Sequence, residues 1–111
     1  MTALHCITLF LVGLVGATPV FGEVGQDAYL AHCASCHGQD GRGQTPAGRK
    51  AHAKDLTKSK LADADIEKQI ILGGPKDKKG HQEMPAFKTT LTPDEITALV
   101  SYVKTLRRPS P

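Results

Sequence analysis

Apolar residues recur at helical spacing in three stretches of the chain, and no stretch alternates like a strand. The clearest stretch lies near the C-terminus. Ile96, Leu99, Val100, Val103 and Leu106 recur at three- and four-residue steps, which places them on one face of a helix. Thr92-Pro93-Asp94-Glu95 marks its start, a capping box with proline at the first helical position. Arg107 and Arg108 follow, where cations favour the negative end of the helix dipole. Ile66, Ile70 and Ile71 predict a second helix over 63–72, stopped by Gly73. Its acids, Asp63, Asp65 and Glu67, suit the positive end of the dipole and need no catalytic reading. A third helix is expected over about 25–34, with Ala28, Leu30 and Ala31 available for packing. Two long loops remain. Residues 38–60 contain four glycines and Pro46, and residues 73–91 contain Pro75, Pro85 and several lysines. Loops this long in a small domain usually have a function. The fold class expected is all-α.

The first 22 residues follow another pattern. Ala3 to Ala17 is one apolar run, ended by Thr18-Pro19, and no charged side chain occurs before Glu23. Val20 and Gly22 stand at −3 and −1 of a cut before Glu23, the shape of an export signal. Residues 1–22 are therefore expected to be a cleaved signal peptide and residues 23–111 the mature domain. The front of the run lacks lysine and arginine. An uncleaved anchor is the rival reading, although the run is short of the roughly 20 residues of a membrane span. Cys6 leaves with the peptide, and the destination is a periplasm-like compartment.

Composition changes the picture in one respect. The 111 residues are one domain by size, and 40 % are hydrophobic. Without the leading run only about a third are. The aromatics after Gly22 are Tyr29, Phe87 and Tyr102, and there is no tryptophan. So small a domain with so thin a core needs a staple or a cofactor at its centre. Disulfides do not supply it, because only Cys33 and Cys36 remain after Cys6. The formal net charge of +3 is too small to indicate nucleic acid and suits steering toward acidic partners.

Cys33-Ala34-Ser35-Cys36-His37 is the CxxCH pattern of covalent haem attachment. Two thiols three residues apart can each add to one haem vinyl group. The histidine that follows then serves as proximal iron ligand. A redox CxxC would need a preceding strand, and a structural zinc site would need four ligands. Neither is present. Gly43 to Lys50 approaches a phosphate-binding loop but lacks its final Lys-Ser/Thr and the strand before it. The sixth ligand follows by elimination. Met84 is the only methionine after the leading run, in a polar loop and followed by proline, and a thioether suits low-spin haem iron. His81 is its main competitor. His32 is expected to point away from the haem and His52 to be a solvated loop residue.

With these features the chain resembles the class I c-type cytochromes over nearly all of 23–109. Gly25 and Tyr29 look like the glycine and aromatic of the family's first helix, and Leu99 and Tyr102 like the pair on its last. Cys33, Cys36 and His37 match the attachment site, and Met84-Pro85 matches the axial methionine loop. The resemblance implies a cytochrome c fold, with three main helices and long loops around one haem c. It implies that Phe87 and Leu56 line the haem. It also implies that the Pro46 carbonyl accepts the ring N–H of His37, a contact that would orient the ligand. Ala62 departs from the family's usual Ser or Thr cap before Asp63.

The activity implied is that of a monomeric periplasmic carrier, passing single electrons between larger redox proteins. It is not an enzyme in the usual sense. Lys76, Lys78, Lys79 and Lys88 flank the methionine loop and would form a docking rim for an acidic redox partner. Two alternatives stand beside this reading. The chain could be the haem subunit of a dehydrogenase or oxidase complex. If Met84 is displaced, it could be a haem enzyme or gas sensor.

Overall fold

A computed structural model describes residues 20–109, together with Gly13, Leu14, Gly16 and Thr18. Apart from those four and residues 20–22, the expected export segment lies outside the described residues. Helix α1 spans Phe21–His32, α2 Ala34–His37, α3 Pro46–Lys50, α4 Asp63–Leu72 and α5 Pro93–Thr105. A single 3-10 turn covers Leu56–Lys58. The described residues form no strand. One isolated antiparallel bridge, Lys76 to Gln82, closes a loop.

The all-α expectation holds, and α4 has the bounds its isoleucines predict. Gly73 caps it at φ 74°, and its N–H donates to the Gln69 carbonyl. Ala62 precedes α4 and gives no side-chain cap. At the start of α5 both capping-box bonds form. The Thr92 N–H donates to Glu95 Oε1 at 3.1 Å, and the Glu95 N–H donates to Thr92 Oγ1 at 3.2 Å. The first helix differs from its expected bounds. It begins at Phe21 and breaks at Cys33, whose φ of −118° departs from helical geometry, and the chain resumes as α2. Short α3 was not expected at all. It is one turn inside the loop over 38–60, started by Thr45 as cap and Pro46 at its first position.

The main packing is α1 across α5. A side chain at Gly25 would run into the Ala98 carbonyl, so only glycine lets the two backbones approach. Four residues on, the ring of Tyr29 lies 5.1 Å from that of Tyr102. Tyr29 and Leu99 are fully buried, and Ile66, Ile70, Phe87, Leu91, Ile96, Val100, Val103 and Leu106 complete the core. Each large aliphatic of this set contributes roughly 1.5–3 kcal/mol by leaving water. The end of α5 is tied to the segment before α4. Arg107 donates to the Leu61 carbonyl at 2.6 Å, the Arg108 N–H donates to the Thr57 carbonyl at 3.0 Å, and Lys104 pairs with Asp63 at 2.8 Å. Between the helix pair and the two long loops the chain leaves one large cavity.

Candidate haem site

The cavity measures about 620 Å³, within the range of small-molecule and cofactor sites. Cys33 reaches it from the α1–α2 junction, and Cys36 and His37 from within α2. Met84 reaches it from the loop after α4. Its apolar wall comes from Ile66, Ile70, Phe87, Leu99 and Val103, with Leu56 from the 3-10 turn. Two thiols, an imidazole and a thioether therefore open into one mainly hydrophobic space. That donor set suits a covalently held iron porphyrin. Among the described residues no cluster of histidine, cysteine and carboxylates could hold a metal ion on its own.

His37 is oriented through its far nitrogen. Nδ1 lies 3.0 Å from the Lys54 carbonyl oxygen. A carbonyl only accepts, so Nδ1 carries the proton and donates. The Nε2 lone pair is then left free for a metal. This corrects the expected acceptor. Pro46 is exposed at the first position of α3 and does not line the cavity, whereas the irregular segment between α3 and Asp55 brings the Lys54 carbonyl to the ring. Spacing from His37 could not distinguish the two, because every residue offers a carbonyl.

The α2 segment is held from two further sides. The buried Tyr29 hydroxyl donates to the Gly38 carbonyl at 2.6 Å. Burial first, with the nearby charges of Tyr102 and Asp40, pushes its pKa up. The Thr45 hydroxyl lies 2.6 Å from the Ser35 carbonyl and 3.0 Å from that of Cys36, and it accepts from the Gly48 N–H at 2.8 Å. Thr45 thus satisfies carbonyls that the short helix leaves open at its end. Sequence reasoning missed this role, although Thr45-Pro46 carries the ordinary signal of a helix start. Cys33 and Cys36 are not joined to each other in a disulfide.

The other candidates sort clearly. Phe87 and Leu56 both line the cavity. His81 is exposed and not among the lining residues, so the competitor of Met84 is turned away. His32 differs from its expectation. It lines the cavity and meets Phe87 edge-on at 5.7 Å, because α1 ends there and its last turn faces the loop after α4. His52 is exposed, but it too sits on the rim, and its Nδ1 donates to Glu83 Oε1 at 3.0 Å across the two long loops. Lys76, Lys78, Lys79 and Lys88 are all exposed and outside the lining, while Lys54, Lys58 and Lys60 form part of it.

The Met84 side is fastened to α4. The Gly74 N–H donates to the Met84 carbonyl at 2.9 Å, and the Phe87 N–H donates to the Ile70 carbonyl at 3.0 Å. Gln69 Nε2 donates to the Gly73 carbonyl at 3.1 Å and lies 3.8 Å from Met84 Sδ.

Comparison with known proteins agrees with this geometry. The family model described as Cytochrome c matches residues 23–107. A cytochrome c6 from Gloeothece citriformis is 32 % identical over 100 residues, covering 87 % of this chain and 84 % of the relative. The cbb3-type cytochrome c oxidase subunit FixP of Azorhizobium caulinodans is 34 % identical over 91 residues, covering 82 % of this chain and 29 % of that subunit. The solved c-type cytochrome KustC0563 superposes with a TM-score of 0.65 at 35 % identity, covering 76 % of this chain and 98 % of that one.

Proposed function

Because the chain belongs to the cytochrome c family, with a covalently bound c-type haem as its cofactor, we propose that it is a periplasmic one-electron carrier between larger redox proteins. One observation carries the reading: Cys33, Cys36, His37 and Met84 all open into the same apolar cavity. When bound, the haem supplies an iron centre that gains and loses single electrons. The residues supply everything else. Cys33 and Cys36 hold the cofactor as thioethers. His37, oriented by the Lys54 carbonyl, presents Nε2 as proximal ligand, and Met84 offers its sulfur as distal ligand. With His37 and Met84 both offered to the iron, the site would leave no open position for a substrate, which suits a carrier. Ile66, Ile70, Phe87, Leu99 and Val103 exclude water from the site, which helps to set its potential.

The absorption spectrum of the ferric holoprotein tests the ligand set. A weak charge-transfer band of methionine-bound iron is expected. A high-spin spectrum overturns the carrier reading and favours an enzyme or gas sensor. Export is tested by N-terminal sequencing of the mature protein, expected to begin at Glu23.

The partner side rests on charge. Lys76, Lys78, Lys79 and Lys88 are exposed, and Lys54, Lys58 and Lys60 stand at the cavity itself. Together they form a basic face that would meet an acidic redox protein and release it quickly. Electron-transfer rates that do not change with ionic strength overturn this docking face. The similarity to FixP supports a second reading, a haem subunit of a larger oxidase or dehydrogenase. A monomer on sizing from native extracts favours the free carrier, and a stable complex favours the subunit.

A further inference from the structure

Met84 sits in a loop with little apolar anchoring. Pro85 and Ala86 beside it are exposed, as is Glu83. Phe87 anchors one flank of Met84 in the core, so what fastens the other flank, His81 to Glu83, is polar. The last four carbonyls of a helix have no partners within the helix. In α4 these belong to Gln69, Ile70, Ile71 and Leu72. The Gln69 carbonyl is taken by the Gly73 cap. Two of the other three are taken by the segment that carries Met84. The Phe87 N–H donates to Ile70 from one flank, and Gln82 Nε2 donates to Leu72 at 2.9 Å from the other. Gln82 Nε2 also donates to the Gly74 carbonyl at 2.5 Å. One amide thus serves two carbonyls, the last of α4 and that of Gly74 two residues beyond it. Gly74 in turn donates its N–H to the Met84 carbonyl.

We propose that Gln82 is a positioning residue for the iron's distal ligand. Its side-chain amide straps the Met84 segment to the last carbonyl of α4, that of Leu72, and to the Gly74 carbonyl just beyond the helix, and holds the sulfur in the cavity. The inference rests on the reading of Met84 as that ligand. Side-chain length and donor count both matter: the amide must reach across the 73–82 loop and offer two N–H groups to two carbonyls. A carboxylate of the same shape offers none and would face both oxygens with negative charge.

The test is Gln82→Glu in the ferric holoprotein, titrated with imidazole as competing ligand. Losing two neutral hydrogen bonds should let imidazole displace Met84 at about ten-fold lower concentration. Amide hydrogen exchange supplies the second measurement. Exchange at Gly74 should accelerate about ten-fold, while Leu99 and Val103 in α5 keep their protection. Unchanged imidazole affinity in a parent protein that shows the methionine band overturns the proposal alone. Acceleration spread equally through α5 also overturns it, because Gln82 would then support the fold at large. A parent protein without the methionine band overturns the ligand reading, and the proposal with it.

Discussion

Gly73→Ala probes how closely the Met84 segment is packed on α4. Gly73 has φ 74° and ψ −172°, a region essentially reserved for glycine, and placing alanine there costs about 1–3 kcal/mol. The new Cβ would stand 2.5 Å from the Met84 oxygen, 2.7 Å from the Pro85 carbonyl carbon and 2.8 Å from the Ala86 nitrogen. All three are backbone atoms and cannot rotate away, so separation costs about a further 1–3 kcal/mol. The stiffer unfolded chain offsets only about 0.4–1 kcal/mol. The net loss centres near roughly 3 kcal/mol. Gly80→Ala is the control. It shares the positive φ, at 78°, but its Cβ would meet nothing within 4 Å. It carries the strain without the collision, a net loss of about 1 kcal/mol. The difference of about 2 kcal/mol corresponds to roughly 8–16 °C in a domain of this size. Thermal unfolding of the two holoproteins, followed by far-ultraviolet circular dichroism, measures it. A Gly73 variant melting within about 3 °C of the Gly80 variant refutes the packing argument.

Tyr29→Phe leaves the Gly38 carbonyl without its donor and should cost about 1–3 kcal/mol in denaturant titrations. The pH dependence has a definite sign. The folded pKa of Tyr29 is raised above its ordinary value of 10.0, so its contribution is intact below that value and lost as pH rises past it. Tyr29→Phe should therefore lose less stability than the parent above pH 10, and parallel curves refute this. Asp55 behaves in the opposite sense. Its carboxyl is held below the usual range, first by the Thr57 hydroxyl, so its contribution is present at neutral pH and fades as pH falls through the folded value. Asp55→Asn should flatten the acid limb of the stability curve, measured by denaturant midpoints below about pH 5. Thr45→Val removes the hydroxyl shared by the Ser35 and Cys36 carbonyls and caps α3 no longer. A loss of about 1–2 kcal/mol is expected, and a change under about 0.3 kcal/mol shows that water replaces the hydroxyl.

Local chemistry explains which features could be read before the fold was known. The α5 cap needs only Thr92, Pro93 and Glu95 in order, and its bonds run between those residues. CxxCH needs a spacing, and α4 needs a period and a terminal glycine. The misreadings share another cause. Lys54 acts through a carbonyl that every residue has. His32 faces the cavity because of where α1 breaks. Gln82, not among the expected site residues, reaches α4 because a loop returns it there. None of these leaves a mark in residue type.

The sequence alone thus determined α4 and α5, the presence of a helix before the cysteines, the attachment motif, the candidate methionine and the need for a cofactor in a thin core. These rest on short-range periodicity, capping and cysteine spacing, which act within a few residues. The tertiary structure decided which carbonyl orients His37, which histidines face the cavity and what fastens Met84. It also decided which lysines stand at the cavity itself. Those contacts join residues far apart in the chain, such as His37 with Lys54 or His52 with Glu83. Their partners are fixed by the path of two long loops across packed helices, and that path is settled only when the whole domain has folded.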